Sequence, residues 1–597
     1  MLKKILKFLS VKIDLHIRVI CYFYIFVIIS CLLWQFFVIL DDNRCDYLYP
    51  WVIFFLFWVV VWGCYYYIVV NYYYQGIWGV DWVEVLKQLL NELYIFICKM
   101  GLVLGSVDHI LFICLIPMVS GIFLLFIPNK KFTLIRAFVI SSAVSTCFMS
   151  QYLLVSTSRI VGSLIPNIYP WIFGVQNAYQ SPQLFFSFST GIDGISLFFL
   201  LLTTVVFPFC FLSLYKKVKG LKFYCFCLLF LESFLLFAFS VSDLLFFFFF
   251  FESVLIPMFF IIGIWGSGYE RILAAYYFFF FTLAGSLFSL IAIFVVFTVN
   301  GSTLFYIVLN SGYVDWQVEL LLFSFFGLGF AVKIPMFPLH TWLPEAHVQS
   351  PTEGSVILAS LLLKLGAYGF LRLLVPGTGK AAIFSYPAVG TLAICGVIFC
   401  SMSAAVQIDL KKLIAYSSAA HMNLIVLGLF SLNFQGVQGS LLLIIAHGFA
   451  SSGLFFLIGF LYDRHHTRTI SYYSGLAQSM PIYTTILFLF VLANVSFPLT
   501  ANFVGEFLIL VGIMQKSFLS AFLSGFCVII LTPIYSFFAF GRLAFLETTE
   551  QTKSHSEITS LEFHTVWYFL VLILILGVHP NLVLDMTNYS VLFLLLY

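Results

Sequence analysis

Seven ionisable side chains lie inside long apolar stretches of this sequence: Glu232, Glu252, Lys333, Lys364, His421, His447 and Glu506. An eighth, Asp243, stands at the turn between two such stretches. A charge in hydrocarbon costs ~2.5–3.5 kcal/mol or more at a helix centre, so such residues by default mark a route for ions or protons. One buried charge can simply pair with a neighbouring helix, and one buried histidine is as often a satisfied core residue as a working one. A storage-type ion pair, however, does not need a series of groups running from one end of a protein to the other. Lysine, histidine and glutamate all accept and release protons, so the set suits proton transfer along an axis.

Two of these stretches are interrupted. The segment FGLGFAVKIPMFPLHTWLPEAH places Pro335 and Pro338 just after Lys333, and NVSFPLTANFVGEFLIL places Pro498 and Gly505 before Glu506. Proline removes a backbone donor and clashes one turn back, so each helix is predicted to break, at Pro335 and at Pro498. Broken helices at membrane depth are tolerated where the freed backbone lines a wet cavity. A pair of them in two halves of one chain points to an inverted-repeat transporter. The repeats are expected over about 222–375 and 386–543, in a register that matches Lys333 with Glu506 and Glu252 with His421. The linker HTWLPEAHVQSPTEG gathers His340, Glu345, His347 and Glu353 near one membrane face. The H-x6-H spacing of its histidines is not a metal spacing, which leaves a proton relay or plain loop structure as the two readings.

The elements that must hold these groups follow from composition. The 597 residues are 62% hydrophobic and 9% charged, with mean hydropathy +1.09, against about 25% charged in a soluble domain. The solvent of this chain is a bilayer. A net charge of +3 and the lack of a basic patch with interleaved aromatics argue against nucleic acid. The thirteen cysteines form no C-x-x-C pair, so zinc and iron–sulfur sites are not expected. The sequence also lacks G-x-G-x-x-G with a following acid, a P-loop and a haem-type C-x-x-C-H, so NADH, ATP and haem are not expected to bind this chain.

With about 20 apolar residues per crossing, fourteen spans are predicted from residue 107 onward. They lie near 107–127, 132–157, 192–215, 222–241, 243–265, 272–298, 318–340, 350–375, 386–407, 411–431, 437–461, 481–513, 518–543 and 562–586, with 587–597 as a tail. Fourteen Lys and Arg fall in the odd-numbered loops, among them Lys130, Lys216, Lys411 and Arg464. Only Arg159, Arg372, Lys380 and Lys516 fall in the even ones, so the odd loops face the negative side. Residues 1–106 carry two further apolar stretches near 17–40 and 50–74 and an amphipathic one near 81–99. Their basic start should lie inside and two crossings would return the chain inside, yet the first core span should begin outside. A third partial crossing, a surface helix or an N-terminus that departs from the charge rule would each restore the count. The Trp and Tyr density between Trp51 and Trp82 suits partner contacts.

The stretches FFFESVLIPMFFIIGIWGSGYERILAAYYFFFFTLAGS, KIPMFPLHTWLPEAHVQSPTEGSVILASLLLKLGAYGFLR, DLKKLIAYSSAAHMNLIVLG and AHGFASSGLFFLIG resemble the subunit 4 family of respiratory NADH dehydrogenase. The resemblance runs over about residues 107–586 and leaves the first 106 unmatched. That family belongs to the antiporter-like subunits of complex I, similar to subunits of sodium/proton antiporters. Glu506 in the second broken span, where subunits 2 and 5 typically carry lysine, favours subunit 4. The resemblance implies an all-α polytopic transmembrane helix bundle and a proton-translocating role in the mitochondrial inner membrane. By it, Glu252 modulates Lys333, protons pass through Lys364 and His421 along a hydrated axis, and Glu506 exchanges with the far side. Glu232, Asp243, His340, His347 and His447 are possible relays. NAD, FMN, iron–sulfur clusters and ubiquinone are expected in other subunits, and the neighbours are expected to be the antiporter-like subunits 2 and 5, with membrane lipid around them. The same helices would also serve a stand-alone cation/proton antiporter.

Desolvation favours the neutral form of a lysine, and a nearby carboxylate favours the charged one. Drawing Glu252 and Lys333 together or apart would therefore load or unload a proton. Against ~100 mV each charge needs ~2.3 kcal/mol, which a pKa swing of under about two units covers at ~1.36 kcal/mol per unit.

Overall fold

In a bilayer every backbone N–H and C=O must be satisfied within the protein, which leaves helices as the economical solution for a chain this apolar. The computed structural model describes residues 109–162, 188–214, 220–311, 315–545, 547 and 556–596. The chain divides into two units at Asp108, and the readings made for residues 1–106 lie outside the described residues. Among the described residues the regular elements are helices, with no strand beyond isolated bridges. Twelve of the helices are long and apolar enough to cross a membrane.

We label them in chain order. α1 is His109–Leu124, α2 Phe132–Gly162, α3 Gly194–Ser213 and α4 Leu221–Ser240. α5 is Leu244–Trp265, and α6 is Arg271–Asn300. α7 is split into α7a, Trp316–Lys333, and α7b, Trp342–Gln349. α8 is Thr352–Gly377, α9 Gly379–Ala405, α10 Leu410–Phe430 and α11 Phe434–His465. α12 is split into α12a, Pro481–Asn494, and α12b, Ala501–Lys516. α13 is Phe518–Ala544, α14 Ser560–Val578 and α15 Asn581–Leu596. Helices lie at each of the fourteen expected positions; twelve are long and apolar enough to cross a membrane, and α1 and the two halves of α12 are shorter. The last residues are not a tail: α15 packs back on the bundle, where Gln438 Nε2 donates to the Leu584 carbonyl (3.4 Å) and to Asn588 Oδ1.

Helices α4–α8 and α9–α13 repeat the same order of elements. In each run the second helix starts at an aspartate N-cap, Asp243 for α5 and Asp409 for α10. That aspartate pairs as an isolated bridge with the segment after the third helix, Asp243 with Leu304 and Asp409 with Thr469. The backbone bonds match as well. Leu244 N–H donates to Thr303 and Phe305 N–H to Ser242, at 2.9 and 3.0 Å; Leu410 N–H donates to Arg468 and Ile470 N–H to Ile408, at 3.0 and 2.9 Å. The fourth helix is broken and the fifth carries π-helical turns, Leu358–Leu362 and Phe370–Leu374 in α8 and Cys527–Leu531 in α13. Five crossings per run put the second run the other way up in the membrane.

The two breaks also match bond for bond, and they revise the expected register. Met336 N–H reaches back to the Ala331 carbonyl and Phe497 N–H to the Leu492 carbonyl, both at 3.0 Å and both five residues back. Pro335 and Ser496 take positive φ, 31° and 60°. The freed carbonyl of Val332 is capped by Trp342 Nε1, and that of Ala493 by Asn502 Nδ2, each at 2.9 Å. In this register Lys333 matches Asn494, Glu506 matches Glu345, and Pro498 matches Phe337. Counting from the capping aspartates likewise matches His421 with Leu255 and Glu252 with Ser418. The earlier register aligned the charges; the backbone aligns the caps and the breaks.

Two further expectations change. Arg372, assigned to a loop, is 2% exposed inside α8, and Lys411, also assigned to a loop, is 1% exposed in the first turn of α10. Helix α12b is seated against α11 by glycines: a Cβ on Gly439 would lie 2.7 Å from Ile509 N and 2.9 Å from Gly505 O. Small residues let backbones approach where lipid gives no hydrophobic drive. Because backbone cannot give way, Gly439→Ala should destabilise by about 1–3 kcal/mol, seen as earlier thermal loss of the assembled protein in detergent. Gly541→Ala, where a Cβ meets nothing within 4 Å, should leave that temperature unchanged.

Candidate functional site

Lys333 is the last residue of α7a and is 5% exposed. Its Nζ donates to Glu252 Oε1 at 3.2 Å and to the Phe251 carbonyl at 2.7 Å. It also lies over the Phe251 ring, 3.2 Å from the centroid. Helix α5 can offer that carbonyl because its hydrogen-bonding is disturbed here, where two helical segments, Leu244–Ser253 and Leu255–Trp265, meet at Val254. An ammonium taken out of water is tolerable only with such compensation. A small cavity adjoins the lysine, lined by Leu255, Phe278, Thr282, Lys333, Trp342 and Leu362.

Leu362 is two residues before Lys364 on α8. Lys364 is fully buried; its Nζ donates to the Ala359 carbonyl and lies 3.0 Å from His447 Nδ1 on α11. The Ala359 carbonyl is in the π-helical turn, where a backbone acceptor is displaced from the ordinary ladder. The His447 and His421 rings are 5.5 Å apart, centroid to centroid. His421 Nδ1 in turn lies 3.0 Å from Glu506 Oε1, within ion-pair reach but off the line of a hydrogen bond. Lys364, His447, His421 and Glu506 therefore form one buried file across α8, α11, α10 and α12b. No hydrogen bond joins Lys333 to this file among the described residues.

The other candidates fall outside the file. Glu232 is fully buried and accepts from Thr146 Oγ1 at 2.8 Å. Asp243 is used as a cap: it accepts from Leu245 N, Phe246 N and Thr303 Oγ1, at 2.8, 3.3 and 2.7 Å. His340 lies among Phe337, Phe399 and Tyr416. His347 stacks flat on Phe455, with centroids 4.8 Å apart and no hydrogen bond to either ring nitrogen. Neither histidine contacts the file through a hydrogen bond among the described residues.

Two buried polar clusters, around Arg372 and Lys411, were missed, and Glu353 of the linker group forms a third. Arg372 Nη1 pairs with Asp193 Oδ2 at 2.6 Å, and Asp193 also forms the capping box of α3 with Ser196. Burial alone would raise the Asp193 carboxyl, but Arg372 and the Ser196 bonds outweigh it and hold the group below the ordinary carboxylate range. Lys411 donates to the Ser350 carbonyl (2.7 Å) and Ser355 Oγ (3.1 Å). Glu353 accepts from Ser213 and Tyr224, at 2.9 and 3.1 Å. The available signal was the apolar run on both sides of Arg372, GAYGFLRLLVP, which lies inside the expected span 350–375.

A multi-pass helical bundle of two repeated runs, each with one broken helix beside a buried carboxylate pair, defines an antiporter-like membrane protein. A family described as NADH:quinone oxidoreductase/Mrp antiporter, TM, matches residues 241–532. NADH-ubiquinone oxidoreductase chain 4 of Marchantia polymorpha is 43% identical over 479 residues, covering 80% of this chain and 95% of that protein. The Arabidopsis thaliana chain of the same name is also 43% identical, with the same coverage. Among solved structures, a chain of respiratory complex I from Thermus thermophilus with bound NADH matches with TM-score 0.70 and 30% identity, over 81% of this chain and 99% of that one. A chain of the Mrp complex of Dietzia sp. shares the fold, with TM-score 0.70 at 16% identity. The protein belongs to the NADH-ubiquinone oxidoreductase chain 4 family.

Glu252 is the only carboxylate within ion-pair distance of Lys333 among the described residues. Glu252→Gln should therefore reduce proton transfer in the assembled complex by about tenfold or more, since it strands a buried cation. Glu252→Asp, which keeps the charge, should be milder. Equal loss from both, measured as proton uptake in vesicles, would make Glu252 a packing residue.

Proposed function

We propose that this chain carries protons across the membrane as an antiporter-like subunit of NADH:ubiquinone oxidoreductase, using Lys333, Lys364, His447, His421 and Glu506 as the carriers. The observation that supports this reading best is the buried file from Lys364 to Glu506, whose neighbours are 3.0 Å apart at both ends. Lys364 Nζ and His447 Nδ1 are a donor and an acceptor in contact, so a proton can pass from ammonium to imidazole without a change in the total. His447 and His421 can then exchange through one another's ring nitrogens or a bridging water. Glu506 stabilises the imidazolium of His421 and can take its proton.

Loading is electrostatic. Glu252 at 3.2 Å favours the ammonium of Lys333, and any further ammonium nearby in the apolar interior disfavours it. A shift of the broken α7 relative to α5 therefore changes the proton affinity of Lys333 and passes charge toward the file.

NADH oxidation and quinone reduction take place in other subunits, which hold NAD, FMN, the iron–sulfur clusters and ubiquinone. The chain itself binds none of these, and it sits in the mitochondrial inner membrane between the antiporter-like subunits 2 and 5, surrounded by lipid. Co-migration of this chain with NADH dehydrogenase activity after mild solubilisation tests the assembly; migration alone would favour a stand-alone antiporter. In the assembled complex, Lys333→Ala and Glu506→Gln should each reduce the protons moved per electron by about tenfold at matched electron-transfer rate. Normal pumping in both variants would refute the route.

A further inference from the structure

Two residues beyond His421 on α10 stands Asn423, a fully buried amide. Residues two apart on a helix point about 200° from each other. His421 faces α12b and α11, where Glu506 and His447 lie. Asn423 faces the other way, toward α7 and α9. Its Nδ2 donates to the Pro335 carbonyl at 3.2 Å and to the Ala419 carbonyl, one turn back on its own helix, at 2.8 Å. Pro335 is in the α7 break, two residues after Lys333. On the α9 side Gly396 lies against the amide, where any Cβ would collide with it. The α8 side is equally close: a Cβ on Gly366, two residues after Lys364, would come within 2.9 Å of Ile334 N.

One helix of the second repeat thus holds a backbone carbonyl freed by the break of the first repeat, and on its opposite face presents a member of the buried file. No hydrogen bond joins Lys333 to the file directly among the described residues. Packed helices shift as units rather than deform, so a movement of the break beside Lys333 is felt by α10 through this bond.

We propose that Asn423 is a positioning residue for proton transfer, tying the α7 break at Pro335 to the helix that carries His421, so that the Lys333 and His421–Glu506 sites move in concert. This rests on the proton route above and adds a mechanical link between its two ends.

The test uses the assembled complex in vesicles, with protons moved per electron read from mildly acidic to mildly alkaline pH. Asn423→Ser keeps a hydroxyl that can reach the Ala419 carbonyl but not Pro335. It should lower the ratio by about threefold or more, with electron transfer in the presence of a protonophore unchanged. Asn423→Asp has the same shape; its carboxyl donates to Pro335 when neutral and cannot when ionised. Pumping by that variant should therefore hold at the acid end and fall as pH rises, a slope that a purely structural role would not produce. Gly396→Ala, which pushes on the amide from α9, should behave like Asn423→Ser. Should one Asn423 variant fail to assemble, the other decides. Wild-type ratios at every pH in an assembled Asn423 variant overturn the link. Lys333→Ala run alongside separates the two ideas: pumping lost there but intact in the Asn423 variants removes the link alone, and pumping intact in both removes the route and the link together.

Discussion

A charge or a freed carbonyl in this apolar interior is tolerable only beside a partner, and most of the architecture follows from supplying those partners. Lys333 needs both Glu252 and the Phe251 carbonyl. Lys364 needs the displaced carbonyl of a π-helical turn. The breaks that let α7 and α12 bend in the membrane expose Val332 and Ala493 carbonyls, and Trp342 and Asn502 cover them. Each polar feature is thus matched by a local departure from regular helix, as expected where unpaired polar groups cost several kcal/mol.

The scaffold that holds these departures is built twice. Asp243 and Asp409 cap corresponding helices and lock them to the segment after the third helix of their run. This assigns Asp243 a structural task, with both carboxyl oxygens already accepting bonds. The chemistry, in contrast, is not duplicated. The cation of the first run precedes its break, while the carboxylate of the second follows its own. A common backbone thereby carries a lysine–carboxylate pair in one half and a histidine–carboxylate pair in the other. One frame thus holds two different side-chain pairs.

Much of this was legible beforehand. Hydropathy located the helices, twelve of them of crossing length, because an apolar run of that length has few alternatives in lipid. Pro335 and Pro338 announced the α7 break, and the charges inside the spans included every member of the buried file. The α12 break was legible from Pro498, yet it opens earlier, at Ser496, because the positive φ and the five-residue back bond fall there. Arg372 and Lys411 lie within the expected spans 350–375 and 411–431 but, standing near their ends, were counted with the adjoining loops. In the fold each is inside a helix, satisfied by Asp193 in one case and by Ser350 and Ser355 in the other.

By itself the sequence determined the solvent, the positions of the helices and the kinds of titratable groups inside them, since these depend on composition and on local backbone chemistry. Only the tertiary structure decided which groups touch. It joined Lys364 to His447 rather than to Lys333, set Glu506 against His421, and left His340 and His347 among aromatic rings. Contacts between helices far apart in the chain depend on how the helices rotate and approach. That is set by glycine seats, caps and π-turns acting together, none of which the spacing of charges along one strand of sequence reveals.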